Sequence, residues 1–226
     1  MSGWDVVRDF MDVLRDKGRR AAIYRGQPNA VWKLVPSAFR PDTRGILSEQ
    51  SLHLWKTDAA RFASPMPVDE IEWLVLAQHY GVATPLLDWT TSPLVALYFA
   101  CADANQRESN GSIWRAMRSD FDEAKYTLMI QPFAEYPDRD KPFLINAIGR
   151  NARSTAQESL MSLHSKSDCN CVPGKVIFTV PCDVKYDTLQ TMEKLGFTAD
   201  RLHHDITMLV DRYKANMSGT RFPGWS

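Results

Sequence analysis

The sequence has 226 residues, enough for one globular domain with a full hydrophobic core. Apolar residues make up 44% of the chain, and its 27 basic and 27 acidic residues give a formal net charge of zero. This balance argues against a strongly basic nucleic-acid-binding protein, although a local basic patch remains compatible with it.

The chain carries no sequence signal for a membrane or for secretion. No stretch reaches the roughly 18 apolar residues that a membrane-spanning helix needs. The first residues lack the basic segment and the apolar run of a secretory signal peptide. We therefore expect a cytoplasmic protein without a membrane partner.

Apolar residues three and four apart predict six helices, and short apolar runs predict five strands. Asp69 is a predicted N-cap, Pro93 a first helical residue and Gly196 a helix stop. The helices are predicted over residues 4–17, 46–62, 69–80, 93–104, 188–195 and 199–215, and the strands over 21–26, 86–88, 112–118, 127–133 and 176–181. Because these elements do not alternate as βαβ units, the sequence predicts an α+β fold. We expect one domain over residues 21–226, with residues 1–20 as an N-terminal helix packed on it.

The four cysteines have a spacing that is unusual for a metal site. Cys169 and Cys171 form a CxC pair, with His164 and Cys182 nearby in sequence. Zinc sites normally use CxxC pairs at tighter overall spacing. Cys101 ends an apolar helical pattern and is predicted to be a small buried side chain. The sequence therefore predicts reduced thiols and no metal.

The first candidate motif is Tyr24-Arg25-Gly26-Gln27, at the end of a predicted strand. An arginine beside a glycine can place its planar guanidinium against a phosphate, because glycine lets the backbone approach closely. Alternatively, Arg25 pairs with a carboxylate such as that of Asp88 and joins two elements of the fold. The tetrapeptide alone leaves both interpretations open.

The second candidate motif, Asp88-Trp89-Thr90-Thr91-Ser92, lies between a predicted strand and a predicted helix. Such a junction can bind a phosphate or a ribose through backbone N–H groups and hydroxyls, with Trp89 as an aromatic wall. The hydroxyl residues are alternatively helix caps, and Trp89 a core residue. Just before this motif, His79 could donate a hydrogen bond and Tyr80 could stack, although a single histidine at a helix end is more often structural.

The third candidate motif lies in residues 151–161, where Asn151 and Arg153 could contact an anionic substrate. Gln157 and Glu158 could orient or polarise a nucleophile. Taken singly, these are exposed polar residues before a short apolar run, and the residues alone favour that simpler interpretation.

Together, the motifs resemble the FRG domain family, which is named for a (Phe/Tyr)-Arg-Gly motif. The matching segments are Tyr24-Arg25-Gly26-Gln27, Ala77-Gln78-His79-Tyr80-Gly81, Leu86 to Ala100, Asn151-Ala152-Arg153 with Gln157, and Leu195-Gly196-Phe197 to Leu209. They extend over nearly the whole chain from about residue 20. The third block departs from the usual Gln-x-Gly-x-Phe, because Ser159 and Met161 replace its glycine and its aromatic residue.

The order of the motifs is also similar to that of the ADP-ribosyltransferases, in which an arginine, a Ser-Thr-Ser motif and a glutamate follow one another. The resemblance implies a single domain with small split β-sheets and flanking helices, and NAD as substrate. It implies that an arginine holds the NAD phosphates, that the hydroxyl motif supports the nicotinamide ribose, and that the last motif bonds the ribose 2′-hydroxyl. The residues expected to bind NAD are Tyr24, Arg25, Gly26, Gln27, Tyr80, Asp88, Trp89, Thr90, Thr91 and Ser92, the expected catalytic residues are Arg25, His79, Ser92, Gln157 and Glu158, and Asn151 and Arg153 are expected to bind the acceptor.

The sequence leaves three functions open. The resemblance implies an NAD-dependent ADP-ribosyltransferase that modifies a protein or a nucleic acid such as RNA. Stand-alone bacterial enzymes of this kind often resemble toxins or anti-phage effectors, so an inhibitor protein is a potential partner. If Gln157 alone faces the cleft, His79 or Asp88 would activate the acceptor. The alternative is a non-catalytic module that binds a nucleotide or a partner protein, and the third is a hydrolase such as a nuclease.

Overall fold

The computed structural model describes residues 1–17, 21–123, 130–134, 141–146, 158–168 and 172–203. Within these residues, seven strands form one sheet with helices packed against it, which confirms the predicted α+β fold. The helices are α1 (Gly3–Lys17), α2 (Glu49–Ala59), α3 (Glu70–His79), α4 (Pro93–Cys101), α5 (Lys185–Lys194) and α6 (Ala199–His203). The strands are β1 (Ala22–Gln27), β2 (Leu86–Thr90), β3 (Gly111–Met117), β4 (Asp122–Glu123), β5 (Phe143–Asn146), β6 (Ser159–Leu163) and β7 (Lys175–Val180).

The sheet consists of two well-paired halves that meet at a weak seam. Its strand order is β4-β5-β6-β2-β1-β3-β7, and every pair is antiparallel except β4 with β5. Strands β1 and β3 share six register pairs, and β2 and β6 share five. At the seam, β1 pairs with β2 only where Tyr24 lies opposite Thr90. A cleft at this seam is therefore compatible with complete backbone pairing within each half of the sheet.

The hydrophobic core follows the same division. Side chains alternate between the two faces of a strand, so Ile23 and Trp89 belong to one cluster on one face of the sheet. On the other face the buried residues form two clusters, one built from α1, α4 and α5 on β1, β3 and β7, and one from α2 and α3 on β2, β5 and β6. The seam thus lies between two separate groups of helices.

Helix α4 is positioned by its start signal and by two glycines in the sheet. Ser92 is its extended N-cap and Pro93 its first residue, as predicted, although the Ser92 side chain makes no capping hydrogen bond. A Cβ atom on Gly26 of β1 would overlap the carbonyl oxygen of Ala96, and one on Gly111 of β3 would overlap that of Ala100. The backbone of α4 therefore rests directly on the backbone of these two strands.

The helix and strand predictions hold where local signals are strong. Asp69 caps α3 through Glu72 N, as predicted, and Gly196 follows α5 with a φ of 86°. The helix predicted over 93–104 ends at Cys101, and α5 begins at Lys185 rather than at residue 188. Of the strand predicted over 127–133, residues 130–133 do not form a strand, and residues 127–129 lie outside the described residues. The end of the helix predicted over 199–215 also lies outside them.

Three strands, β4, β5 and β6, were not predicted. Strand β6 is buried along its whole length in the middle of its half of the sheet. A strand with both faces covered has no polar–apolar alternation, so its short run SLMSL carries little signal. No helix among the described residues is long and apolar enough to cross a membrane.

Candidate functional site

A cavity of about 440 Å³ opens at the seam between β1, β2 and α4. Its polar side chains come from both halves of the sheet and from the segment after α4, namely Arg25, Asp88, Thr90, Asp103 and Ser159. Its apolar wall is formed by Tyr24, Trp89, Val95, Ala96 and Phe99. This volume, with a mostly apolar wall and a few convergent polar groups, is typical of small-ligand sites.

Arg25 spans the seam on the β1 side of the cavity. Its Nη1 atom donates a hydrogen bond of 2.7 Å to the backbone carbonyl oxygen of Asp88. Its Nε atom is buried and has no hydrogen-bond partner among the described residues. Burial lowers the pKa of Arg25, the Asp88 carboxylate opposes this shift, and the positive charge of Arg40 adds to it. Because arginine keeps its charge in proteins, the cavity contains a fixed cation with an unused donor.

Asp88 lies across the seam, and a side-chain network holds its carboxylate. Gln78 of α3 donates from Nε2 to Asp88 Oδ2 over 2.7 Å. The hydroxyl of Thr84 in turn donates to Gln78 Oε1, and the backbone N–H of Leu86 donates to that hydroxyl over 3.3 Å. The residues just before β2 therefore orient the carboxylate at the edge of the cavity.

The hydroxyl motif at the end of β2 is divided between the cavity and a neighbouring carboxylate. Thr90 lines the cavity, and its Oγ1 accepts from the backbone N–H of Ser92 over 3.0 Å. Thr91 donates from Oγ1 to Oε2 of Glu158 over 2.9 Å, and the two residues also share a backbone hydrogen bond of 3.2 Å. Glu158 has a φ of 50°, and the next residue, Ser159, lines the cavity. The second and third sequence motifs thus meet beside the cavity.

Trp89 connects the cavity wall to a buried hydrogen-bonded chain. Its Nε1–H donates to Ser162 Oγ over 2.8 Å, Ser162 Oγ lies 2.7 Å from His164 Nε2, and His164 Nδ1 lies 3.4 Å from Asp168 Oδ1. The order resembles a Ser-His-Asp catalytic triad, but Ser162 and His164 are fully buried and do not line the cavity. We interpret this series of hydrogen bonds as a structural network that fixes the Trp89 side chain. Sequence reasoning missed it because β6 was not predicted.

Several residues expected at the site lie away from the cavity lining. Gln27 is buried and accepts from Trp114 Nε1 over 2.8 Å. His79 ends α3 with its ring packed edge-on against Tyr80, which is 69% exposed. Ser92 is half-buried at the start of α4. These residues surround the cavity elements, whereas Tyr24, Arg25, Gly26, Asp88, Trp89 and Thr90 contribute to the lining itself.

Some expected residues lie outside the described part of the chain: Asn151, Arg153, Gln157, Cys169 and Cys171. Among the described residues, no group of three or more His, Cys, Asp or Glu side chains is placed to hold a metal ion.

A second cavity of about 260 Å³ shares Ala102 and Ala104 with the first. Cys101 and Lys185 contribute to its lining, and burial raises the pKa of the Cys101 thiol to about 12. The ammonium group of Lys185 donates to the carbonyl oxygens of Pro28, Gln106 and Ser109 over 2.7, 2.8 and 3.0 Å. It therefore ties together two segments that border the first cavity.

Residues 20–109 match the family model of the FRG domain. This part of the chain is similar to the FRG domain family. The matched range runs from β1 past α4 and contains every lining residue of the seam cavity except Ser159. The third sequence motif and the C-terminal segment of the resemblance lie beyond it. No curated protein and no solved structure matches the chain.

Proposed function

We propose that this protein is an NAD-dependent ADP-ribosyltransferase that modifies a macromolecule. The observation that carries the proposal is the convergence of three distant sequence motifs. Arg25 and Thr90 line one cavity, and Glu158 is hydrogen-bonded to Thr91 at its edge. The order of the motifs along the chain is that of the enzymes they resemble.

The chemistry of the cavity suits a dinucleotide. The guanidinium of Arg25 can bind a phosphate oxygen with two parallel donors, and its buried Nε needs an acceptor. An unpaired buried donor costs about 1–3 kcal/mol, which an anionic ligand can offset. The apolar wall that includes Tyr24 and Phe99 can contact a flat aromatic ring.

Transfer of ADP-ribose requires that the dinucleotide is positioned and that the positive charge developing on its ribose is stabilised. The bond between ribose C1 and the nicotinamide nitrogen breaks, and nicotinamide leaves as a neutral molecule with the bonding electrons. The nucleophile of the acceptor forms a bond to C1 and releases its proton to water. In the proposed site Arg25 holds the diphosphate, Thr90 contacts the ribose, and the Glu158 carboxylate accepts from the 2′-hydroxyl and stabilises the charge that develops on the sugar.

A second candidate is a nucleotide-binding module without transferase activity. Glu158 is exposed, bonds Thr91 and is not among the described residues that line the cavity. Asp88 and Asp103 are the carboxylates of the described lining. If the Glu158 carboxylate does not approach the ribose, the cavity would bind a nucleotide and leave it intact.

The deciding experiment incubates the purified protein with NAD labelled in its adenylate half, together with a cell lysate. Aliquots are then digested separately with protease and with nuclease. The transferase proposal predicts release of nicotinamide and label in a macromolecule that only one of the two digestions destroys. Binding of NAD without nicotinamide release favours the binding module, and nucleic-acid cleavage that needs no NAD would favour a nuclease.

A matched pair of variants controls for unspecific effects. Arg25→Lys keeps the positive charge in the cavity but loses the two-donor geometry, whereas Arg8→Lys makes the same change on exposed α1. We expect the first variant alone to lose transfer. Equal transfer by both variants would contradict the role of Arg25.

A further inference from the structure

Arg25 and Asp88 both line the seam cavity and are joined by the hydrogen bond from Arg25 Nη1 to the backbone carbonyl oxygen of Asp88, and Asp103 is a second acidic residue of the described lining. We propose that this pair recognises the ribonucleoside diphosphate half of the dinucleotide, in which Arg25 binds a phosphate and Asp88 binds the 2′- and 3′-hydroxyls of the adenosine ribose. We further infer that Gln78 is the positioning residue for Asp88. This inference rests on the proposed nucleotide substrate and specifies its class.

The orientation of the Gln78 amide follows from its two partners. The Thr84 hydroxyl accepts from the backbone N–H of Leu86, so its own proton is available for Gln78 Oε1. The amide NH₂ group must then face Asp88 Oδ2, at 2.7 Å. A carboxylate can only accept hydrogen bonds, so the amide NH₂ group is the matching partner. Gln78 thereby fixes the position of one oxygen of the Asp88 carboxylate.

A pure acceptor at this place selects hydroxyl groups. A carboxylate has two oxygens with about four acceptor positions, and Gln78 uses one of them, on Oδ2. Two adjacent hydroxyls of a ribose can donate to such a group, whereas a 2′-deoxyribose offers one donor fewer. The backbone carbonyl oxygen of Asp88 accepts from the Arg25 guanidinium. The group that binds the phosphate and the residue that binds the ribose are therefore neighbours.

The network also gives a physical meaning to two of the sequence motifs. Gln78 lies in the last turn of α3, Thr84 lies between α3 and β2, and Asp88 lies in β2. Consecutive residues on a helix point about 100° apart. Because Gln78 faces Asp88, the neighbouring His79 is directed elsewhere, and it packs against Tyr80 instead.

The test is the binding of ADP and of 2′-deoxy-ADP to the purified full chain by calorimetry. We expect ADP to bind about tenfold more tightly, the effect of one hydrogen bond to a charged group. In Asp88→Asn the preference should shrink to about threefold or less, because the neutral amide binds the second hydroxyl more weakly. Equal affinities for the two ligands in the wild-type protein, or an unchanged preference in Asp88→Asn, would overturn the inference.

The role of Gln78 is tested by a pH profile. In Gln78→Glu two carboxyl groups face each other and compete for one proton, so ADP binding relative to wild type should weaken as pH rises from about 5 to 8. Gln190→Glu places the same change on α5, where Gln190 contacts Tyr186, and its ratio to wild type should stay constant. A constant ratio in Gln78→Glu would remove Gln78 as a positioning residue.

These outcomes separate the inference from the proposed function. Label transfer from NAD without any preference for ADP over 2′-deoxy-ADP would support the transferase proposal and contradict the recognition of the ribose hydroxyls by Asp88. An Asp88-dependent preference for ADP without label transfer would support the recognition of the ribose hydroxyls by Asp88 and contradict the transferase proposal.

Discussion

Arg25 Nη1 donates to the backbone carbonyl oxygen of Asp88 across 2.7 Å, at the place where β1 and β2 stop pairing. Continuing the register of Tyr24 with Thr90 would set Gly26 opposite Asp88, yet no pairing occurs there. A side chain has replaced a backbone partner at this point of the ladder. The contact between Arg25 and the backbone of Asp88 thus accounts both for the separation of β1 from β2 and for the position of the Arg25 guanidinium.

Arg25→Ala should reduce nicotinamide release by about 100-fold or more while the protein remains folded. The variant loses the cation of the cavity, and removal of a partner of a bound phosphate typically costs about 3 kcal/mol in binding. Nicotinamide release is measured by chromatography and the fold by far-UV circular dichroism. Full activity in this variant would exclude Arg25 from the site.

Glu158→Gln should lower transfer by about 100-fold but leave NAD affinity within about threefold, because the charge on the ribose develops only in the transition state. The amide can still accept from Thr91, so the local structure should persist. Rates and affinities are measured on the same preparations, with Glu49→Gln on exposed α2 as control. Gln157→Ala, made in parallel, should have the smaller effect, and the reverse order would reassign the catalytic position to Gln157.

Gly26→Ala should destabilise the protein by about 3 kcal/mol, because overpacking against a fixed backbone forces two elements apart. The added methyl group would overlap Ala96 O and lie 2.7 Å from Ala100 N, both backbone atoms of α4. Urea unfolding gives the free energy. Gly81→Ala is the contrast: no atom lies within 4 Å of its added carbon, and only its φ of 81° costs energy, about 1–2 kcal/mol. A smaller effect at Gly26 than at Gly81 would contradict the close packing of α4.

Asp168 should make stability depend on acid pH. Burial alone raises the pKa of its carboxyl, but hydrogen bonds from His164 and from the backbone of Ser165 outweigh it and bring the pKa below its ordinary value. A carboxyl with a lowered folded-state pKa contributes stability above its unfolded value of about 3.9, and loses it as pH falls through the folded value. From pH 5 down to 2, wild type should therefore lose more stability than Asp168→Asn.

The measurement is the urea midpoint at several pH values, with Asp58→Asn on the exposed face of α2 as control. The difference between wild type and Asp168→Asn should be largest near neutral pH and shrink in acid. A difference that is constant with pH would mean that the Asp168 charge does not stabilise the fold.

Lys185→Met should cost about 3 kcal/mol or more in the free energy of unfolding. The methionine keeps much of the side-chain volume but leaves the carbonyl oxygens of Pro28, Gln106 and Ser109 without their shared charged donor. Lys194→Met, on the exposed end of the same helix, is the matched control and should change stability by less than about 0.5 kcal/mol. Similar losses in the two variants would rule out the three-carbonyl contact as the cause.

The predictable parts of this fold are those with local causes. Helix α4 was predicted from an apolar run that begins with Ser92 and Pro93, and α3 from the Asp69 cap, because these signals act within a few residues. Strand β6 was missed in part because its buried Ser162 accepts a hydrogen bond from Trp89, which is distant in sequence. A sequence window cannot contain such a partner.

The same distinction applies to the candidate site. Arg25, Asp88 and Thr90 were predicted from motifs at strand ends, and they line one cavity. Gln78 belonged to a motif singled out for its neighbours His79 and Tyr80, since imidazole and phenol rings suggest chemistry more readily than an amide does. Only the tertiary contact shows that Gln78 is the residue of that helix end that bonds Asp88.

The single register pair that joins β1 to β2 has a mechanical consequence. A molecule seated in the cavity would touch both halves of the sheet and act as a bridge where the backbone supplies little cohesion. Its arrival should slow amide hydrogen exchange in β1 and β2 together, far more than in the well-paired β3, and so reveal occupancy even for a ligand that is never turned over.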